Sequence, residues 1–302
     1  MTTRKRTIGM YAAAIFIATV CIGTGITNGI PIALDNSAVS PVIDPDNTVA
    51  SGSMTYTNNS DFMVVAVNVG AQNGDLDVSA TPTVTYAGDA LTADFTYNPD
   101  DHGYSFIFSS RNITDLATGS HTLEVDFGQI LDTDADDPDD NNPRFYTDQL
   151  QFGALSLSNV DLNDPVVLVY GPTSMDDSTH DVLSDPDLDA GDFLVVGSAA
   201  SNSVDFPNYE VGGTDPGAAD GTELTGFLTV SGDDGGAGES QAHYRVLQAG
   251  DFDGSGSIFI DAFSKRGASG DGGVVYNAIP EPATMGLLSV GGLMMIRRRR
   301  SR

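Results

Sequence analysis

Residues 104–108 read Tyr-Ser-Phe-Ile-Phe and residues 122–127 read Thr-Leu-Glu-Val-Asp-Phe. In an extended chain successive side chains point to opposite faces, so this alternation gives each segment one apolar face and one face for water. That is the pattern of antiparallel sheets with one wet side. Two further runs, Phe-Met-Val-Val-Ala-Val from Phe62 and Val-Val-Leu-Val from Val166, are apolar nearly throughout and predict central strands covered on both faces.

Working outward, short β-branched and aromatic runs separated by Gly, Asn, Asp and Pro fill residues 35–278, and none keeps a long 3.6-residue apolar period. Strands are expected at 53–57, 62–69, 81–86, 90–97, 104–109, 121–127, 150–158, 165–170, 192–198, 223–231, 242–249, 257–262 and 273–278. About a dozen strands require two packed sheets or a barrel. The expectation is an all-β fold, an antiparallel two-sheet sandwich of jelly-roll type, flanked by an N-terminal signal helix and a C-terminal hydrophobic sorting helix. The acidic, turn-rich stretches 131–143 and 173–192 read as long surface loops. The second could instead divide two small sandwiches, because Phe-Leu-Val-Val-Gly from Phe193 echoes Phe-Met-Val-Val-Ala from Phe62. The preferred division is 1–34 for the signal and start of the mature chain, 35–278 for one sandwich domain, and 279–302 for a tail.

Charge is unevenly spread. The formal net charge is −29, yet eight of the 13 basic residues lie in the two ends. Between Asp35 and Pro280 there are five basic and 41 acidic residues, a net of −36. A polyanion repels nucleic acid and anionic lipid, so neither is an expected partner. The acids are mostly Asp, which favours turns and offers short carboxylates to divalent cations. Solubility in salt is the simpler reading of that excess.

Arg4, Lys5 and Arg6 precede an uncharged apolar run from Ile8 to Ile26, the order of an export signal; an uncleaved signal anchor is the alternative. Cys21, the single cysteine, follows Ala18-Thr19-Val20 and lacks the small preceding residue of a lipobox. If it leaves with the signal, the exported fold is held by burial and backbone pairing without disulfides.

At the other end stand Pro280-Glu281-Pro282, an apolar run from Ala283 to Ile296, and Arg297, Arg298, Arg299 and Arg300. Fourteen residues make a helix of about 21 Å, shorter than a bilayer core of about 30 Å, so the run is a poor permanent span. The Pro-x-Pro isolates it from the fold and the arginines hold its end at the cytoplasmic face. This three-part tail resembles the PEP-CTERM sorting signal. The resemblance implies an exosortase-type membrane protease as partner, cleavage near Pro280 to Pro282, and transient membrane association before delivery to the surface. The middle of the chain, with Tyr86-Ala87-Gly88-Asp89-Ala90-Leu91-Thr92, resembles a β-sandwich module that recurs beside such tails; this implies a fold and no activity.

Candidate metal ligands are Asp132, Asp134, Asp136 and Asp139 in the 131–143 loop, where carboxylates crowd and would repel without cations or salt; calcium is the cofactor they could take. Asp251-Phe252-Asp253-Gly254-Ser255-Gly256 opens like an EF-hand loop but has Ala262 at the twelfth position and no flanking helices, so a hairpin turn is preferred. Asp185-Pro186-Asp187-Leu188-Asp189 reads as a solvated turn. His102, His121, His180 and His243 stand in no catalytic or metal-binding context, and no catalytic residue is assigned. Trp is absent, leaving Tyr104, Tyr146, Tyr209 and Tyr244 as candidate sugar platforms. The expected function is that of a non-enzymatic exported surface or exopolysaccharide-matrix protein. The alternative is a calcium- or glycan-binding extracellular module with polysaccharide as partner. A polysaccharide hydrolase or lyase rests on analogy alone.

Overall fold

The computed structural model describes residues 30–43, 51–71, 76–77, 81–97, 104–127, 131–132, 147–175, 181–200, 208–212, 221–231, 239–263 and 269–280. Both expected flanking helices lie outside the described residues. Among those described, no helix is long and apolar enough to cross a membrane.

The described chain is all-β apart from one 3-10 turn at Ala249–Asp251. Its first eleven strands are β1 (Ala33–Val39), β2 (Ser51–Asn58), β3 (Phe62–Ala71), β4 (Leu76–Asp77), β5 (Thr83–Tyr86), β6 (Asp89–Ala90), β7 (Thr92–Tyr97), β8 (Tyr104–Ser109), β9 (Gly119–Asp126), β10 (Leu131–Asp132) and β11 (Thr147–Ser158). Nine follow: β12 (Val166–Met175), β13 (Asp181–Leu183), β14 (Phe193–Ala200), β15 (Asn208–Val211), β16 (Thr222–Glu223), β17 (Thr225–Ser231), β18 (Glu239–Val246), β19 (Ile258–Phe263) and β20 (Ser269–Tyr276).

The first group makes a five-stranded sheet, β1-β11-β3-β8-β7, and a four-stranded sheet, β2-β9-β5-β6, beside a small β10-β4 ribbon. The second group makes β12-β20-β14-β18-β17 and β13-β19-β15-β16. Strand for strand the two orders are the same, once β4 and β10 are set aside. The registers agree as well. Val64 pairs with Ser109 where Val195 pairs with Tyr244, and Tyr86 pairs with Leu123 where Val211 pairs with Ile260. Each five-stranded sheet also carries a bulge at the same two places, after Leu34 and Ala93 in the first and after Val166 and Gly226 in the second. The structure is thus two halves of one topology, a regularity hinted at by the echo of Phe62 in Phe193.

The five-stranded sheets face each other, and the four-stranded sheets cover their outer sides. Three apolar layers result. Met63, Val65, Val67, Phe106 and Phe152 pack against Tyr56, Val84, Leu123 and Val125 in the first half. Leu194, Val196 and Val275 pack against Val211, Ile258 and Ile260 in the second. Between them lies a middle layer of Phe62, Val64, Ile107, Leu155, Phe193, Val195, Val274 and Tyr276. The period-2 rule explains why β3 and β14 are apolar on both faces: odd and even residues fill different layers. At roughly 1.5–3 kcal/mol for each large apolar side chain, these layers supply the main folding drive.

The expected covering of Val166–Val169 on both faces is corrected. β12 is an edge strand, its residues 166–168 are half-buried and Val169 is 44% exposed; β14 is the covered strand instead. The expectation of one pair of sheets becomes two pairs stacked as four layers.

Candidate functional site

The site that bears on the expected function is the end of the described chain, at residues 277–280. Ala278 is buried, whereas Ile279 and Pro280 are exposed. The last described residues are held by a ladder of backbone bonds. Asn277 N donates to Pro165 O at 3.0 Å, Ile279 N to Asn159 O at 2.9 Å, and Ile30 N to Ile279 O at 2.9 Å. Asn159, in the left-handed region at φ 66°, turns its amide to donate to Pro31 O at 3.0 Å. The entering segment, the link between the halves and the exiting segment therefore meet in one seam. Proline at position 280 has no N–H and cannot extend this ladder. A cleft of about 400 Å³ opens beside it, with Asp61, Asn159, Asp161, Leu162 and Ile279 on its walls. Ile30, Leu162 and Ile279 expose apolar surface there.

A buried carboxylate fastens the seam. Asp192 accepts from Ala278 N through Oδ1 at 2.9 Å and from Asp189 N through Oδ2 at 2.8 Å, while its own carbonyl accepts from Leu247 N at 2.8 Å. Burial pushes its carboxyl up to about 6, against the two backbone donors that favour the charged form; nearby Asp189 pushes the same way as burial. Further along the middle layer, Asp94 fills the bulge of β7. It accepts from the Tyr276 hydroxyl at 2.8 Å and faces the Arg111 guanidinium at 3.0 Å. Burial raises Asp94, opposed by Ser109, Tyr276 and Arg111.

Of the sequence-predicted sorting residues, Pro280 is the one described, exposed and directly after the seam. Glu281, Pro282, Arg297, Arg298, Arg299 and Arg300 lie outside the described residues. Of the candidate calcium ligands, Asp132 sits in the two-residue strand β10 opposite Leu76, and Asp134, Asp136 and Asp139 lie outside. Among the described residues no group of three or more His, Cys, Asp or Glu could hold a metal ion.

The EF-hand-like stretch is a turn, as preferred. Asp251 is taken by Arg245, which donates through Nε at 2.9 Å and Nη2 at 2.8 Å. Asp253 accepts from the backbone N–H of Ser255 and Ser257, and Gly256 takes φ 85°. The Ser255 hydroxyl, then the backbone donors, hold Asp253 below the usual carboxylate range. Asp185 likewise caps a local turn, accepting from Asp187 N at 2.9 Å. His121 is exposed on β9, His243 is buried on β18, and His102 and His180 lie outside the described residues.

The tyrosines do not form exposed platforms. Tyr104 and Tyr209 are buried, Tyr244 stacks on Phe193 at 5.5 Å in the middle layer, and Tyr146 lies outside the described residues. Sequence reasoning missed Asp192. One signal stood in the chain, the Asp-Phe pair that opens both β3 and β14 as Asp61-Phe62 and Asp192-Phe193. No protein-family model and no curated protein matches this chain.

Proposed function

We propose that this is an exported protein of the cell surface or exopolysaccharide matrix, non-enzymatic, delivered through a C-terminal tail of the PEP-CTERM type. The body would be two jelly-roll-like sandwiches in tandem, since each half orders its strands as such folds do. A cleaved N-terminal signal brings it to the membrane, and an exosortase-type protease acts on the tail.

The observation that carries this reading is the position of Pro280. The proposed sorting motif begins at an exposed residue directly after a backbone-bonded seam that holds Asn277 and Ile279. A membrane protease could reach the exposed Pro280 without unfolding the sandwich. While the tail is inserted, the seam is the part of the body tied closest to the bilayer. The account is tested by deleting residues 280–302. Loss of processing and of surface delivery is expected; cell association and surface delivery unchanged from the parent would refute the sorting role.

A further inference from the structure

Because the two halves share one topology, each core position in one has a counterpart in the other, and the counterparts can be compared residue by residue. By register, Ala38 corresponds to Tyr170, Val67 to Ser198, Val84 to Tyr209, Phe106 to Gln241, Phe108 to His243 and Phe152 to Asp271. In the first half all six belong to, or pack on, a continuous apolar core. In the second half the same six positions carry a phenol, a hydroxyl, a phenol, an amide, an imidazole and a carboxylate. All are buried, with Tyr209 1%, Gln241 3%, Tyr170 8% and His243 9% exposed.

The first half shows that the fold does not need polar groups there. It also shows what a structural polar cluster looks like in this protein. Tyr56, Asn58 and Ser156 bond one another at 2.7 Å, and Asn58 completes its amide on Ser60 O and Ala117 O. The cluster in the second half is not closed in that way. Among the described residues, the Tyr170 hydroxyl, Gln241 Oε1 and His243 Nδ1 have no hydrogen-bond partner, while Ser198 bonds the Tyr209 hydroxyl. A buried polar atom left unsatisfied costs about 1–3 kcal/mol, and apolar residues at the same positions would remove that cost.

Location and chemistry then narrow the ligand. Ser198, Gln241 and Asp271 each lie two residues from a strand end, and Tyr209 lies one from the start of β15, so the cluster sits at one rim of the second half. Asp181, the first residue of β13, acts electrostatically on both Tyr170 and Tyr209. The two carboxylates disfavour an anion. Burial lowers His243 to about 4, which leaves a neutral ring packed on Tyr209 at 5.0 Å. Among the described residues there is no metal-binding group. What remains is an uncharged ligand rich in hydroxyls, able both to donate to Gln241 Oε1 and His243 Nδ1 and to accept from the Tyr170 phenol.

We propose that this rim of the second half is a binding site for the hydroxyl-bearing end of a glycan. The proposal is independent of the tail: deletion of residues 280–302 leaves it unchanged.

The test titrates the full chain with glucose, galactose, mannose, N-acetylglucosamine and their soluble polymers, reading the His243 ring resonance by NMR and the melting temperature. The expected result is that at least one sugar shifts both. Ser198→Val and His243→Phe, which copy Val67 and Phe108, should then weaken binding by about tenfold or more without lowering ligand-free stability. Tyr170→Phe removes one hydroxyl and no packing, and it should weaken binding by about tenfold even if the other variants fail to fold. If no sugar moves the His243 resonance or the melting temperature, or if Tyr170→Phe binds as the parent does, the proposal is wrong.

Discussion

Asp192 and His243 are two buried titratable groups whose pH effects have opposite signs. The folded state raises Asp192 to about 6, so between about pH 4 and 6 the folded chain holds a proton that the unfolded chain has released. That contribution is present at low pH and is lost as pH rises through 6. His243 is lowered to about 4, so below about pH 6.5 the unfolded chain takes up a proton that the folded chain refuses; stability falls with acidification. The two offset each other. Relative to the parent, Asp192→Asn should lose about 2 kcal/mol more on going from pH 7 to 4.5, and His243→Phe should gain about as much. Urea unfolding midpoints at the two pH values check both signs. At the same scale, Tyr276→Phe removes the hydroxyl that donates to buried Asp94 and should cost about 1–3 kcal/mol by the same measurement. None of this was legible beforehand. One Asp among 37 in the body carries no mark of burial, and a lone His on a strand looks the same whether wet or dry.

Elements were far more legible. Tyr-Ser-Phe-Ile-Phe located β8, but the wet face expected from its alternation is corrected: all six residues of β8 are buried, because Ile107 on its second face lies in the middle layer against the other half; the apolar run from Phe62 located β3. β1, β13 and β15 were missed for a physical reason: Ala-Leu-Asp-Asn-Ser-Ala-Val, Asp-Val-Leu and Asn-Tyr-Glu-Val are short or built of turn-forming residues. Their pairing is set by neighbouring strands and not by propensity. β12 was misjudged because an apolar run does not say whether its second face meets another layer or the solvent. One turn gives an internal control. Ala87 takes φ 55° where its counterpart Gly212 takes φ 82°, each N–H donating to the matching carbonyl, of Thr122 or Phe259. Left-handed backbone is costly for Ala, so Ala87→Gly should stabilise by about 1 kcal/mol. Gly212→Ala should destabilise by more, since its Cβ would stand 3.1 Å from the Asp251 Cα. Thermal unfolding of the pair decides the point.

For the whole molecule, the sequence indicated an all-β class but not four layers. The repeat is hidden because the spacing between matching residues changes from strand to strand as the loops differ in length. Only the strand orders and registers expose it. The charge of −36 between Asp35 and Pro280 is a property of the same scale. Screening shortens from about 14 Å at 0.05 M salt to about 3 Å at 1 M, so the melting temperature should rise by several degrees over that range. A flat response would mean that the carboxylates are already compensated. The proposed processing acts at or directly after the last described residue, Pro280. It is tested most directly by the intact mass of the surface-released protein. The expected mass corresponds to a chain ending within residues 280–282; a released form that still carries residues 283–302 would contradict it.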